Sequence, residues 1–194
     1  MTLILSACGG AASRRASHME RGQEFFTAGN YEKARVEFRN ALQIMPNDAD
    51  ARYMNGRVAE KLNDLRTAVG MYQGAIDVNA DHVQARANLG RLLVFAGAPA
   101  RALEIVEPAF PKHPDDADLL TVRGAARTQL KDKAGALADA ERAVKLAPDN
   151  ANAVALLASI YRQSGQGDRS IDLIKRTLDK TPGALELRQV LATL

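Results

Sequence analysis

The chain has 194 residues, 46% apolar and 25% charged, with a net charge of +3. That is the make-up of a folded domain rather than a disordered or fibrous chain. The small positive excess, with no basic run longer than Arg14-Arg15, leaves no nucleic-acid footprint, no stretch reaches the ~18 apolar residues of a bilayer-spanning helix, and one cysteine excludes an internal disulfide.

The first element in chain order is short. It reads Met1-Thr2-Leu3-Ile4-Leu5-Ser6-Ala7-Cys8-Gly9-Gly10, an apolar run ending in small residues before Cys8. Leu5-Ser6-Ala7-Cys8 resembles the lipobox of bacterial lipoproteins. The resemblance implies cleavage before Cys8, lipid attachment to its sulfur and a membrane anchor. Gly9, where inner-membrane lipoproteins carry Asp, implies the outer membrane of a Gram-negative envelope. Only seven residues precede Cys8 and none is Lys or Arg. A secretion signal has a basic start, so the expectation is a start further upstream or a fragment. Residues 9–17 are small and polar and read as a flexible tether.

From residue 15 the chain repeats every 34 residues. One series is Pro46, Ala80, Pro114, Pro148, Pro182; another is Gly22, Gly56, Gly90, Gly124, Ala158. Ala34, Ala68, Ala102, Ala136 and Ser170 form a third, and Ala41, Ala75, Ala109, Ala143 and Thr177 a fourth. A bulky series runs Leu42, Ile76, Phe110, Val144, Leu178. The period and these positions resemble the tetratricopeptide repeat. The resemblance implies an all-α fold, a right-handed α-solenoid of five helix-turn-helix hairpins over 15–48, 49–82, 83–116, 117–150 and 151–184. Residues 185–194 add a C-terminal helix, as a cap or a partial sixth repeat. Small residues at the Gly and Ala positions admit close helix contact, while Tyr72 and Ile76 fill the space beside them. Gly29, Gly97 and Gly165 suit a left-handed turn. The prolines stop second helices, and Pro46-Asn47-Asp48 and Pro148-Asp149-Asn150 supply caps for the next ones. One hairpin cannot keep its apolar face dry, so neighbours must stack.

Three departures stand out. The seventh position, usually large and apolar in this family, reads Arg21, Asn55, Leu89, Arg123, Leu157. Long Arg stems can pack there while their heads reach water. Arg127 stands where an aromatic is usual and opposite the small Ala140, which reads as an exchange of volume or as a buried ion pair with Asp139. Pro108, inside the second helix of repeat three, should end or kink that helix and could mark a hinge between repeats 1–3 and 4–5.

Catalytic chemistry is not visible. His18, His82 and His113 lack Cys or carboxylate partners at metal-ligand spacing, the glycines follow the period rather than a phosphate loop, and Asp115-Asp116 sits where caps are needed. The expectation is a non-enzyme without cofactor or metal. In this family, ligands commonly lie in a concave groove lined by the first helices. The matching candidates are Tyr53, Arg57, Asn88, Arg91, Gln129, Asn152 and Arg162. Asn88 could hold a peptide backbone through its amide, the arginines could grip carboxylates, and Tyr53 offers a stiff aromatic contact. The Lys and Asn set with which some family members clamp chaperone tails is missing from Met19, Gln23, Met54, Gln84 and Asn88. The reading is therefore a lipid-anchored scaffold in the bacterial envelope that binds a protein or peptide and no nucleic acid. It is similar to tetratricopeptide lipoproteins of exopolysaccharide export and PEP-CTERM sorting. The alternatives are a type IV pilus or secretin assembly lipoprotein and, from another class, a carbohydrate-binding or enzyme-regulating module.

Overall fold

The structure, a computed structural model, describes residues 5–192; the side chains of residues 5–9 and of residue 186 are not described. Among the described residues all regular structure is helical: α1 (Leu5–Thr27), α2 (Tyr31–Ile44), α3 (Ala49–Lys61), α4 (Leu65–Val78), α5 (Val83–Phe95), α6 (Pro99–Val106), α7 (Ala117–Gln129), α8 (Lys133–Leu146), α9 (Ala151–Gln163), α10 (Gly167–Lys180) and α11 (Leu185–Ala192). Consecutive helices pair into hairpins, α1 with α2 through α9 with α10. The chain forms two compact units, Met1–Leu89 and Gly90–Leu194. The division falls inside α5, not at Pro108.

Two devices close the hairpins. One, in the first four, is a missing side chain in the first helix, where the fifth carries Ala158. In the first unit, a Cβ on Gly22 would lie 2.5 Å from the Phe38 ring, and one on Gly56 would lie 2.6 Å from the Tyr72 ring. In the second, a Cβ on Gly90 would meet Val122 at 2.7 Å and Val106 at 2.9 Å. The other device is a left-handed residue in the turn. Gly29, Asn63, Gly97, Lys131 and Gly165 have φ of 75°, 59°, 72°, 65° and 74° and stand 34 residues apart. Gly and Asn adopt this backbone readily. Lys131 does so against its preference.

Between hairpins the chain is turned by caps. Asp48, Asp116 and Asn150 accept hydrogen bonds from the first-turn amides of α3, α7 and α9. At the same place before α5 stands His82, whose Nδ1 accepts from the Ala85 amide at 3.2 Å. Its ring is buried, Nδ1 is committed as acceptor, and Nε2 therefore carries the proton.

The first unit is built on Phe26, Ala34, Phe38, Met54 and Val58. In the second, Ala136, Ala140, Leu157, Ile160 and Tyr161 form one core cluster. Another joins Val154, Ala158 and Ile174 to Leu187 of α11. The last helix thus closes the final hairpin with a fully buried leucine, while Leu185 stays exposed. The helix in repeat three does end early: α6 stops at Val106 and the chain continues as a 3-10 turn, Glu107–Ala109. Pro108 has no N–H to carry the α-helical ladder further.

Two expectations need correction. Residues 9–17, read as a flexible tether, are part of α1. Ala11, Ala12 and Ala16 favour helix, and Arg15 is ion-paired to Asp48 and lies 3.7 Å from Asp50, which ties the segment to the start of α3. The seventh-position arginines do not simply extend their heads into water. Arg21 donates to Glu37 at 3.0 and 3.2 Å. Arg123 donates to both oxygens of Asp139 at 2.9 and 2.7 Å and lies over the Phe110 ring at 3.6 Å. Arg127 joins the same carboxylate at 2.7 Å. Asp139 is almost fully buried, at 4% exposure, so the buried ion pair of repeat four exists and has two arginines in it. Asn55 turns its amide back onto the Ala51 carbonyl at 2.9 Å.

Candidate functional site

The seven candidate residues fall in two separate groups. Tyr53, Arg57 and Asn88 belong to the first unit, and α3 and α5 carry them into one cluster. Tyr53 lies beside the Tyr72 ring, with centroids 5.8 Å apart, and beside His82, at 4.8 Å. Tyr72 is fully buried. Its hydroxyl donates to Glu60 Oε2 at 2.8 Å and accepts from Asn88 Nδ2 at 3.3 Å. Burial first, and then the Glu60 hydrogen bond, push the Tyr72 phenol well above its ordinary pKa, so it stays protonated and holds Asn88 from one side. The Asn88 carbonyl oxygen and its second amide hydrogen point away from that bond and can serve a ligand backbone.

Arg57 is held by rings rather than by acids. Its guanidinium lies 4.5 Å from the centroid of Phe26 and 5.8 Å from that of Tyr53, and Nη1 reaches Met54 Sδ at 3.8 Å. No carboxylate pairs with it among the described residues. Stacking on two aromatic faces fixes a planar cation while leaving its donor edges unspent. The side chains are half-buried, so a ligand carboxylate would be bound away from full solvent screening.

The other candidates lie in the second unit and do not form a comparable cluster. Arg91 is half-buried. Gln129 spends Nε2 on the Val94 carbonyl at 2.9 Å, which joins the ends of α5 and α7. Asn152 and Arg162 are exposed. Two further features lie in this unit. Phe95, at the end of α5, is 80% exposed. A pocket of about 580 Å³ opens between the end of α7, the start of α8 and the end of α9, lined by Thr128, Lys131, Lys133, Leu137, Ile160 and Gln163 among others. Phe95 was legible as an aromatic at a first-helix end. The pocket was not, because it requires α8 and α9 side by side.

Models of the tetratricopeptide repeat match residues 16–48, 60–126 and 128–194. The chain belongs to the tetratricopeptide repeat family. Among solved structures it is similar to TTC0263, a thermophilic repeat protein of Thermus thermophilus, with 23% identity, 92% of this chain and 97% of that one covered, and a TM-score of 0.78. It is also similar to Pseudomonas aeruginosa PilF, with 19% identity, 95% and 100% covered and a TM-score of 0.74. The type IV pilus biogenesis factor PilW aligns with 17% identity, 92% and 89% covered and a TM-score of 0.75. At these identities the likeness is one of fold. No curated protein matches the sequence. Proteins of this family bind protein or peptide partners, and an all-helical repeat fold in which Tyr53 and Tyr72 link the aromatic-held Arg57 to Asn88 is consistent with that class of work.

Proposed function

We propose that this protein is a non-catalytic scaffold that binds an extended peptide segment of a partner protein across Tyr53, Arg57 and Asn88. The observation that carries the reading is Arg57, stacked on Phe26 and Tyr53 and paired with no acid among the described residues. The buried Tyr72 hydroxyl holds Asn88 nearby. Arg57 takes a carboxylate of the ligand, Asn88 its main chain, and Tyr53 an apolar side chain. Selection of random peptides on the full chain tests this. The selected peptides carry Asp, Glu or a free C-terminus, and Arg57→Ala and Asn88→Ala each weaken them about tenfold, equivalent to about 1.4 kcal/mol. Peptides that bind both variants as well as the parent would refute the assignment.

The scaffold is held at the bacterial envelope through lipid on Cys8, whose side chain lies outside the described residues; the support is the Leu5-Ser6-Ala7-Cys8 pattern. Labelling by an alkyne fatty acid in cells, lost in Cys8→Ser, is the expected result. Of the assemblies such a scaffold could serve, pilus or secretin assembly has support from the likeness to PilF and PilW. Exopolysaccharide export rests on the lipobox and repeats alone. Affinity capture from envelope extracts separates them: a pilus secretin in one case, polysaccharide-export components in the other.

A further inference from the structure

The pocket of the second unit is apolar at its base and basic at its lip. Ala136, Leu137 and Ile160 supply the base, and Lys131 and Lys133 stand exposed at the lip. Neither ammonium has an ion-pair partner among the described residues. The acid between them, Asp132, is already engaged: it accepts from the Gly135 amide at 2.9 Å as the cap of α8 and lies 3.7 Å from Arg127 Nε. Two unneutralised cations therefore flank an opening large enough for a bulky side chain together with some of its backbone. Lys131 is held there by a left-handed backbone that lysine does not prefer, with φ of 65°. Gln163 spends one amide hydrogen on Ser159 at 3.1 Å, which leaves its carbonyl oxygen for a ligand N–H.

We propose that this pocket takes a branched or aromatic side chain of an acidic peptide segment, whose neighbouring carboxylates pair with Lys131 and Lys133. An isolated apolar ligand would leave both lysines unused. A bare anion would leave the apolar base wet. A segment carrying both matches the site in charge and in surface. This deepens the peptide-binding reading above by naming a second point of attachment and the chemistry it selects.

The test uses the full chain with methyl-labelled Leu and Ile and the acetylated, amidated peptide Glu-Glu-Leu-Glu-Glu. Versions with Leu changed to Ala, or with every Glu changed to Gln, are compared. The expected result is a saturable shift of the Leu137 and Ile160 methyl signals. Affinity falls about tenfold or more for either altered peptide, and likewise in Lys131→Glu/Lys133→Glu, whose unchanged melting midpoint shows that the fold is kept. Leu137→Trp, which fills the pocket from within, abolishes the shift of the remaining reporter, Ile160. Peptide binding that is lost in Arg57→Ala and Asn88→Ala, with no shift at Leu137 and Ile160, would overturn the pocket while leaving the first-unit site standing. No binding by either measure would overturn the pocket assignment as well. Shifts at Leu137 and Ile160 with anionic phosphatidylglycerol vesicles but not with the peptide would replace it by a lipid contact.

Discussion

Removing the Asp139 carboxylate tests how repeat four is held together. Asp139→Ala deletes three charge-assisted hydrogen bonds, two from Arg123 and one from Arg127. The two arginines do not fare alike. Arg127 keeps Glu107 and Asp132, each at 3.7 Å. Arg123, with 15% of its side chain exposed, keeps only Glu107 at 3.5 Å. A buried charge stripped of its partner costs about 3–5 kcal/mol, and the surviving contacts place this case near the lower end. For a chain of this size 1 kcal/mol moves the melting midpoint by roughly 2–4 °C, so a fall of about 6–12 °C is expected in the thermal circular-dichroism melt. The decisive companion is the double change Arg123→Leu/Asp139→Leu, which copies Leu157 and Leu173 from the same two positions of repeat five. An apolar pair of that kind replaces a buried ion pair at little or no cost, so the double variant recovers to within about 1 kcal/mol of the parent. A double variant no more stable than Asp139→Ala, or a single variant that melts within about 2 °C of the parent, would show that the ion pair does not organise the hairpin.

Two other outcomes follow from the same packing. Gly90→Leu drives a side chain into Val122 and Val106, already within 3 Å of the missing Cβ, and destabilises by about 1–3 kcal/mol, read from urea denaturation. His82 makes stability pH-dependent. Burial pushes its imidazole below the usual pKa, with Asp50 opposing, so the native state holds fewer protons than the unfolded one. Its contribution is full above the unfolded value of about 6.5 and is lost as pH falls below that, down to the native value. His82→Asn keeps a capping acceptor without the titration, so its urea midpoint declines less than the parent's between pH 7 and 5. Equal declines would exclude His82 as the source.

The hairpins were legible because close approach demands small residues at fixed places. The Gly22, Gly56, Gly90 and Gly124 series records that demand directly. The turns were half legible: Gly29, Gly97 and Gly165 announce a positive φ, but Asn63 and Lys131 occupy the same seat without the compositional flag. The ion pairs of the seventh-position arginines do not show in any one column alone. A step of sixteen residues pairs them with their partners on the second helix: Arg21 with Glu37, Arg123 with Asp139, Leu157 with Leu173. In these couples both members are oily or both are charged, and that signal was present in the string of letters; Asn55, with Met71 sixteen residues on, does not follow it. The helical state of residues 9–17 was hidden by Gly9-Gly10, since the ion pairs of Arg15 that anchor it span more than thirty residues. Of the candidate site, Tyr53, Arg57 and Asn88 were found from helix position alone. What holds them, the rings beneath Arg57 and the hydroxyl beside Asn88, depends on which second-helix side chain reaches which first helix.

Repeat arrays lengthen and shorten by exchange of units, and the matched columns in this chain restrict where such exchange can succeed. A crossover in the loop within a hairpin that joined α7 to α10 would set Arg123 opposite Leu173, a guanidinium with an oily neighbour and no counter-charge. A crossover after Pro148 moves both halves of every matched couple as one parcel. The unit of inheritance here is accordingly the whole hairpin, and chimaeras or consensus variants of this protein keep their stability only if they are spliced at that seam.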